Sequence, residues 1–217
     1  VSIEVDERLP PLLAETMAGV DNFKLVLQDV LKVDLKALIA QEFPGMPVAV
    51  CANLPYYITS PIIMRLLEGP LPIRSLTVMV QKEAAVRITA APGTRECGAI
   101  SAAVWYYSTP KLLFPVSRGS FLPAPAVDSA VIRLDLPQEL PEDLPPREDF
   151  FAVVRAGFGQ RRKTMLNSLS AGLRWEKDAT RALLTAAGIA ENARAEQVTL
   201  EQWKALTRAY FSMKKSR

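Results

Sequence analysis

Apolar and polar residues alternate along Val1-Ser-Ile-Glu-Val-Asp, which predicts a strand that ends in acidic residues. Pro10-Pro11 then starts a helix over Arg8 to Met17. Phe23-Lys-Leu-Val-Leu-Gln-Asp alternates again and ends at Asp29. Leu35 to Glu42 reads as a short helix or turn closed by Pro44-Gly45. Val48 to Cys51 are small or apolar throughout, the mark of a short buried strand. Pro55 lacks an N–H and fixes its own φ, so the chain leaves the sheet there. Thr59 or Ser60 is expected to cap the next helix, with Pro61 in its first turn and Ile62, Ile63, Leu66 and Leu67 on its apolar face. Gly69-Pro70 ends that helix. Ser75 to Glu83 reads as a fourth strand, and Ala84 to Ala90 as a helix broken by Pro92-Gly93. The run from Ala99 to Tyr107 fits helix or strand. Lys111 to Val116 and Ala130 to Leu136 read as strands, the second with period two. Strands alternating with helices predict an α/β fold with a mostly parallel sheet.

The pattern changes after residue 136. Pro137 to Pro146 holds four prolines and several acids, and little that packs. Residues 137–147 are therefore read as a linker between a catalytic domain, 1–136, and a helical domain, 148–217. Asp149 to Phe158, Lys163 to Leu173 and Asp178 to Ala187 carry helical apolar spacing, and Gly188 can end the third. Thr199-Leu-Glu-Gln202 has the form of a capping box opening a last helix. Lys214-Lys215-Ser-Arg217 reads as a frayed tail.

Composition narrows the chemistry. With 217 residues, 49% of them hydrophobic, the chain can bury a sizeable core. It has no histidine, which removes Ser-His-Asp and Cys-His catalysis and most zinc chemistry, so no metal is expected. Cys51 and Cys97 are not spaced as a metal knuckle or a disulfide framework, which fits a reducing cytoplasm. No apolar run is long enough to span a bilayer, and no secretory signal pattern is present. The net charge of +3 is mild, so any nucleic-acid surface must come from local clustering.

Candidate chemistry gathers at the carboxyl ends of strands, where open α/β sheets bind ligands. Asn53-Leu54-Pro55-Tyr56 forms a rigid loop between a strand and a helix. The Asn53 amide and nearby backbone carbonyls are uncharged acceptors suited to an exocyclic amine. Tyr56 offers a flat face for a base. Glu4 and Asp29 stand at or near strand ends on the same edge, where carboxylates hold ribose hydroxyls or an adenine amino group. Phe121, in the proline-rich loop Ser120 to Ser129, can form the second wall of a base pocket opposite Tyr56. Arg161-Arg162-Lys163 is a cluster of cations for which RNA phosphate is the natural partner.

Four separated motifs then stand in order: Asn53-Leu-Pro-Tyr-Tyr-Ile-Thr-Ser-Pro-Ile-Ile, Val80-Gln-Lys-Glu, Phe121-x-Pro-x-Pro-x-Val-x-Ser, and Phe158-Gly-Gln-Arg-Arg-Lys-Thr. Across nearly the whole chain this resembles the ribosomal RNA adenine dimethyltransferase family, the bacterial small-subunit enzymes most of all. The resemblance implies a class I, Rossmann-like S-adenosylmethionine methyltransferase sheet with a small helical C-terminal domain. It implies N6-dimethylation of two adjacent adenosines of small-subunit ribosomal RNA, by a cytoplasmic, monomeric enzyme linked to ribosome assembly. It assigns Glu4 to the ribose of the methyl donor, and Asp29, with Val30, to its adenine. Asn53 and the Leu54 carbonyl orient the target N6 within the rigid Pro55 loop and border the donor. Tyr56 and Phe121 sandwich the target base, and Arg161, Arg162 and Lys163 meet RNA.

The sequence departs from the family in three places. Gly93-Thr-Arg-Glu-Cys-Gly lacks the usual tyrosine before its second glycine, and Ala195 replaces a usual proline. The family's amino-terminal segment, its first strand and its glycine-rich donor loop have no counterpart here. That strand lies between those read at Val1 to Val5 and Val48 to Cys51, so a gap is expected at the sheet's centre. It is to be filled by direct pairing, a swapped strand or a separately supplied segment. The chain alone is expected to bind the donor poorly. Alternatives are the large-subunit dimethylase of antibiotic resistance, which usually has isoleucine at Leu54, and a non-catalytic RNA-binding assembly factor.

Overall fold

The computed structural model describes residues 1–139, 144–160 and 162–215. The chain runs β1 (Ser2–Glu4), α1 (Leu9–Thr16), β2 (Leu25–Leu27), α2 (Leu35–Glu42), β3 (Val48–Asn53), α3 (Thr59–Glu68), β4 (Ile73–Gln81), α4 (Lys82–Thr89), α5 (Ala99–Tyr107), β5 (Thr109–Val116) and β6 (Ser129–Asp135). Four helices follow: α6 (Arg147–Phe158), α7 (Met165–Leu173), α8 (Lys177–Ala186) and α9 (Leu200–Lys215).

The strands form two sheets rather than one. β1 pairs with β2 in parallel, and a four-stranded sheet has the order β3-β4-β6-β5. Among the described residues β1 and β3 do not pair with each other, so direct pairing does not join the two sheets. The larger sheet is mixed, not mostly parallel: β3 and β4 are parallel, while β6 runs antiparallel to both β4 and β5. The reason is local. No helix lies between β5 and β6, and a connection without a crossover returns the chain antiparallel.

β4 lies between β3 and β6, and its Leu76, Val78 and Val80, which share one face, are fully buried. β6 alternates, burying Ala130, Ile132 and Leu134 and exposing Arg133. β5 is the outer strand and carries Pro110 and Pro115, which suit an edge because proline cannot complete a ladder. The run from Ala99 to Tyr107 resolves as helix. Gly98 precedes it, and the Ser101 hydroxyl accepts the Gly98 N–H at 2.9 Å. Its all-round apolar character matches burial on both sides, against α3 and α4 and against α6.

Neither Thr59 nor Ser60 caps α3. Thr59 is its first residue, and its hydroxyl donates to the Pro55 carbonyl at 3.2 Å. The capping box of α9 does form: the Thr199 N–H donates to Gln202 Oε1 at 3.1 Å and the Gln202 N–H to Thr199 Oγ1 at 3.3 Å. Gly188, with φ of +63°, ends α8.

Residues 137–139 and 144–146 are irregular; residues 140–143 of the expected linker lie outside the described residues. One continuous hydrophobic cluster runs from Val33 through the sheet to Leu206. Aromatic rings carry it from α5 to α6. Tyr106 lies 4.5 Å from Phe150 between centroids, and Tyr107 stacks on Phe151 at 5.7 Å. The helical part is built around Trp203, which is fully buried. A Cβ on Gly157 would stand 2.5 Å from the Trp203 ring, so only glycine lets α9 approach α6 there. Of the expected tail, Lys214 and Lys215 continue α9, and Lys214 pairs with the buried Asp149 of α6 at 3.0 Å, a bond that raises the Lys214 pKa. Ser216 and Arg217 lie outside the described residues.

Candidate active site at the carboxyl edge of the sheet

Strand register brings the loops together. Asn53 ends β3 opposite Met79 of β4, Gln81 of β4 stands opposite Ser129 of β6, and Ser129 stands opposite Val116 of β5. The loops after β3, β4 and β5 and the loop before β6 therefore share one edge. Lys82, Arg118, Phe121 and Asn53-Leu54-Pro55-Tyr56 all lie on it.

The Asn53 loop is held firmly while its chemistry stays free. The Leu54 N–H donates to the Met79 carbonyl at 3.1 Å and the Leu54 side chain is buried, so the loop continues the β3–β4 pairing by one bond. The Pro55 carbonyl accepts the Ile58 N–H at 3.2 Å as well as the Thr59 hydroxyl, closing a 3-10 turn over Tyr56–Ile58. Tyr56 is half-buried, and its hydroxyl lies 2.7 Å from Ser129 Oγ. Ser129 is fully buried at the start of β6, so this bond ties the loop to the far side of the sheet. Asn53 is exposed, and its side-chain amide has no hydrogen-bond partner among the described residues. An uncommitted amide on a fixed backbone is available for a ligand.

Phe121 is half-buried at the end of a second 3-10 turn, Arg118–Ser120. Asp128 pins that loop, its Oδ1 accepting the Arg118 N–H at 3.0 Å and its carbonyl accepting the Lys82 N–H at 3.0 Å. Among the described residues the Tyr56 and Phe121 rings make no contact with each other. Large apolar side chains next to these aromatics face solvent: Tyr57 is 84% exposed and Leu122 fully so.

Glu4 is the last residue of β1, and Asp29 follows β2 by two residues. Each carboxylate has one oxygen fixed by its own backbone. Glu4 Oε1 accepts the N–H groups of Val5 and Asp6 at 2.8 and 3.0 Å, and Asp29 Oδ1 accepts the Leu31 N–H at 2.9 Å. The second oxygen of each has no partner among the described residues. An oriented carboxylate with a free oxygen is the acceptor that a ribose diol or an adenine amine requires. Val30 is half-buried beside them and packs on the core. Both acids stand on the smaller sheet, and Asn53, Tyr56 and Phe121 on the larger.

Of the expected basic cluster, Arg162 and Lys163 are exposed between α6 and α7 and form no ion pair among the described residues. Arg161 lies outside the described residues. The described residues hold no cluster of His, Cys, Asp and Glu fit for a metal ion, and no helix long and apolar enough to cross a membrane. The sequence reading missed Ser129 as the partner of Tyr56, and Lys82 and Arg118 as cations at the same edge. The motifs containing them were visible; their adjacency depends on strand order.

Comparison with known proteins bears on this geometry. The small-subunit ribosomal RNA methyltransferase A of Alkaliphilus oremlandii is 49% identical over 208 residues, 95% of this chain and 72% of that protein. The same-named protein of Clostridioides difficile is 44% identical over 207 residues, 95% of this chain and 72% of its own length. Among solved structures, the 23S rRNA methyltransferase ErmE superposes with a TM-score of 0.68 at 29% identity, covering 96% of this chain and 80% of that one. A dimethyladenosine transferase from Plasmodium falciparum shares the fold, with a TM-score of 0.75 at 21% identity over 97% of this chain and 81% of that one. The sequence model for ribosomal RNA adenine dimethylase matches residues 1–210, and the chain belongs to that family.

Proposed function

We propose that this chain is the methyltransferase of a small ribosomal subunit, converting adenosines of its RNA to N6,N6-dimethyladenosine with S-adenosylmethionine as donor. One observation carries the reading. In a chain of this family, Asn53 presents an uncommitted amide at the end of β3, next to a tyrosine whose ring is locked by Ser129. Asn53 Oδ1 and the Leu54 carbonyl accept the two N6 hydrogens of the target adenine. Those bonds favour a pyramidal nitrogen whose lone pair is less delocalised into the ring. Tyr56 and Phe121 hold the unstacked base between their faces. Pro55 keeps the acceptors in place, so no reorganisation is needed when the nitrogen attacks.

Glu4 accepts from the donor's ribose, Asp29 from its adenine amine, and Val30 packs beside the adenine. The donor, when bound, supplies an electrophilic methyl on a sulfonium: the new N6–carbon bond replaces the carbon–sulfur bond, the neutral thioether leaves, and N6 gives up one proton to solvent for each methyl. The chain's own residues bind, orient and exclude water; none forms a covalent bond. Arg162 and Lys163, with Arg161, contact RNA phosphates away from the reacting base, and the protein works as a cytoplasmic monomer. Identities of 44–49% to small-subunit enzymes, against 29% to the 23S enzyme, support the small subunit as substrate.

The test is transfer of labelled methyl groups to unmethylated small subunits, by this chain and by the same chain extended before Val1 with the family's glycine-rich donor loop. Dimethyladenosine in the subunit RNA is the expected product. An extended chain that binds subunits tightly but transfers no methyl overturns the enzyme reading in favour of a binding factor.

A further inference from the structure

The edge that carries Asn53 also presents an aromatic ring and two cations that the methyl-transfer chemistry leaves unused. Of the chain's five tyrosines, Tyr57 alone is largely exposed, at 84%, and it makes no hydrogen bond or ring contact among the described residues. Its backbone is nonetheless fixed. It sits in the 3-10 turn Tyr56–Ile58, closed at Pro55 and tied to β6 through Tyr56 and Ser129. Successive residues of such a turn point about 120° apart. Tyr56 points inward to Ser129, so Tyr57 is directed out of the base pocket, one residue away from it.

Lys82 begins α4 directly after β4, and Arg118 follows β5, both at the same edge by register. Both are exposed, and neither side chain is in an ion pair among the described residues. Two acids beside them, Asp128 and Glu83, have other partners. Asp128 accepts backbone N–H from Arg118, and Glu83 pairs with Arg87 at 3.1 Å.

Resting on the proposed function, we infer that Tyr57, Lys82 and Arg118 form a second RNA-contact strip, which holds the nucleotide next to the target. Drawing a base out of a single strand leaves its neighbour without a stacking partner. Tyr57 supplies the replacement face, since base–aromatic stacking tolerates any base. Lys82 and Arg118 take the phosphates on either side. The strip is separate from the cluster at Arg162 and Lys163, which lies between α6 and α7.

The test needs no methyl donor, so it is independent of whether the chain catalyses transfer. The probe is a ten-nucleotide oligouridine RNA with one central adenine and 2-aminopurine on its 3′ side, or on its 5′ side in a second probe. Stacking quenches 2-aminopurine. The unaltered 217-residue chain is expected to quench one of the two probes on binding. Tyr57→Ala restores the fluorescence and weakens binding about tenfold, within the range for one lost stacking contact, and Tyr57→Phe rescues both. Lys82→Ala with Arg118→Ala lowers the slope of log K against log salt by about 1.4, two single-strand contacts, with quenching kept at saturation. Arg162→Ala with Lys163→Ala weakens binding but leaves quenching at saturation unchanged. Unaltered quenching in Tyr57→Ala, or no quenching of either probe by the unaltered chain, overturns the inference.

Discussion

The chain contains two Tyr-Tyr pairs, and they lead opposite lives. Tyr56-Tyr57 sits after a strand, in a turn with one ring half-buried and the other in solvent. Tyr106-Tyr107 ends α5 with both rings about 5% exposed, packed edge-on to each other and against Phe150 and Phe151. Polar satisfaction separates them further. The Tyr56 hydroxyl has Ser129 and the Tyr106 hydroxyl donates to the Pro145 carbonyl at 2.9 Å, but the buried Tyr107 hydroxyl has no partner among the described residues. Burial raises the pKa of both Tyr106 and Tyr107. In the proposed function the first pair presents faces to a ligand; the second packs α5 against α6. A tyrosine pair is therefore not a site by itself; a free face on a fixed backbone makes it one.

The largest effect expected from disturbing this contrast is Phe150→Ala, which empties the seam. It should cost about 3–5 kcal/mol in urea unfolding, as large-to-small changes of buried aromatics do. A cost below about 1 kcal/mol would mean that the seam does not hold the two layers together. Asn53→Ala should act in the other currency. In an active chain, turnover falls about 10²–10³-fold, the size typical of a lost preorganised polar contact, with unchanged melting temperature and RNA affinity. Equal loss of turnover and affinity would contradict the role assigned to Asn53.

Tyr107→Phe should stabilise the protein by about 1 kcal/mol, because it removes a buried hydroxyl that has no partner among the described residues. It also has a pH signature. The folded-state pKa of Tyr107 lies above its unfolded value of about 10. Stability from keeping the phenol neutral is then complete below pH 10 and declines as pH rises from there through the folded-state value. The phenylalanine variant should lose less stability over that alkaline range, measured as the urea midpoint against pH. Tyr56→Phe keeps the ring and loses only the bond to Ser129. It should cost ~1 kcal/mol of stability, with turnover reduced about fivefold at most. A larger loss of turnover would give the hydroxyl a direct part in the chemistry.

Much of the chain was legible in order. Pro55 placed the exit from β3, the capping box placed α9, and Gly188 placed the end of α8, because each acts through its own backbone within a few residues. Short-range rules failed where a choice depended on distant partners. Residues 99–107 are apolar enough for either helix or strand, and the covering layers decided for helix. Thr59 looked like a cap, yet the 3-10 turn before it drew its hydroxyl to Pro55. Lys214 looked like a tail residue until Asp149 proved to be its partner, 65 positions away.

The sequence by itself determined the family and the residue types of the candidate site, with Glu4, Asp29 and Asn53 at or near the ends of their strands. Those properties reside in local patterns and in motifs read along the chain. The tertiary structure alone decided that β6 runs antiparallel beside β4, so that Ser129 reaches Tyr56 and Lys82 and Arg118 share an edge with Asn53. It alone decided that Tyr57 of the first pair keeps an exposed face while both tyrosines of the second pair are buried. Strand order and burial arise from contacts between residues far apart in the chain, and no local pattern encodes which of several apolar neighbours will be the one that meets them.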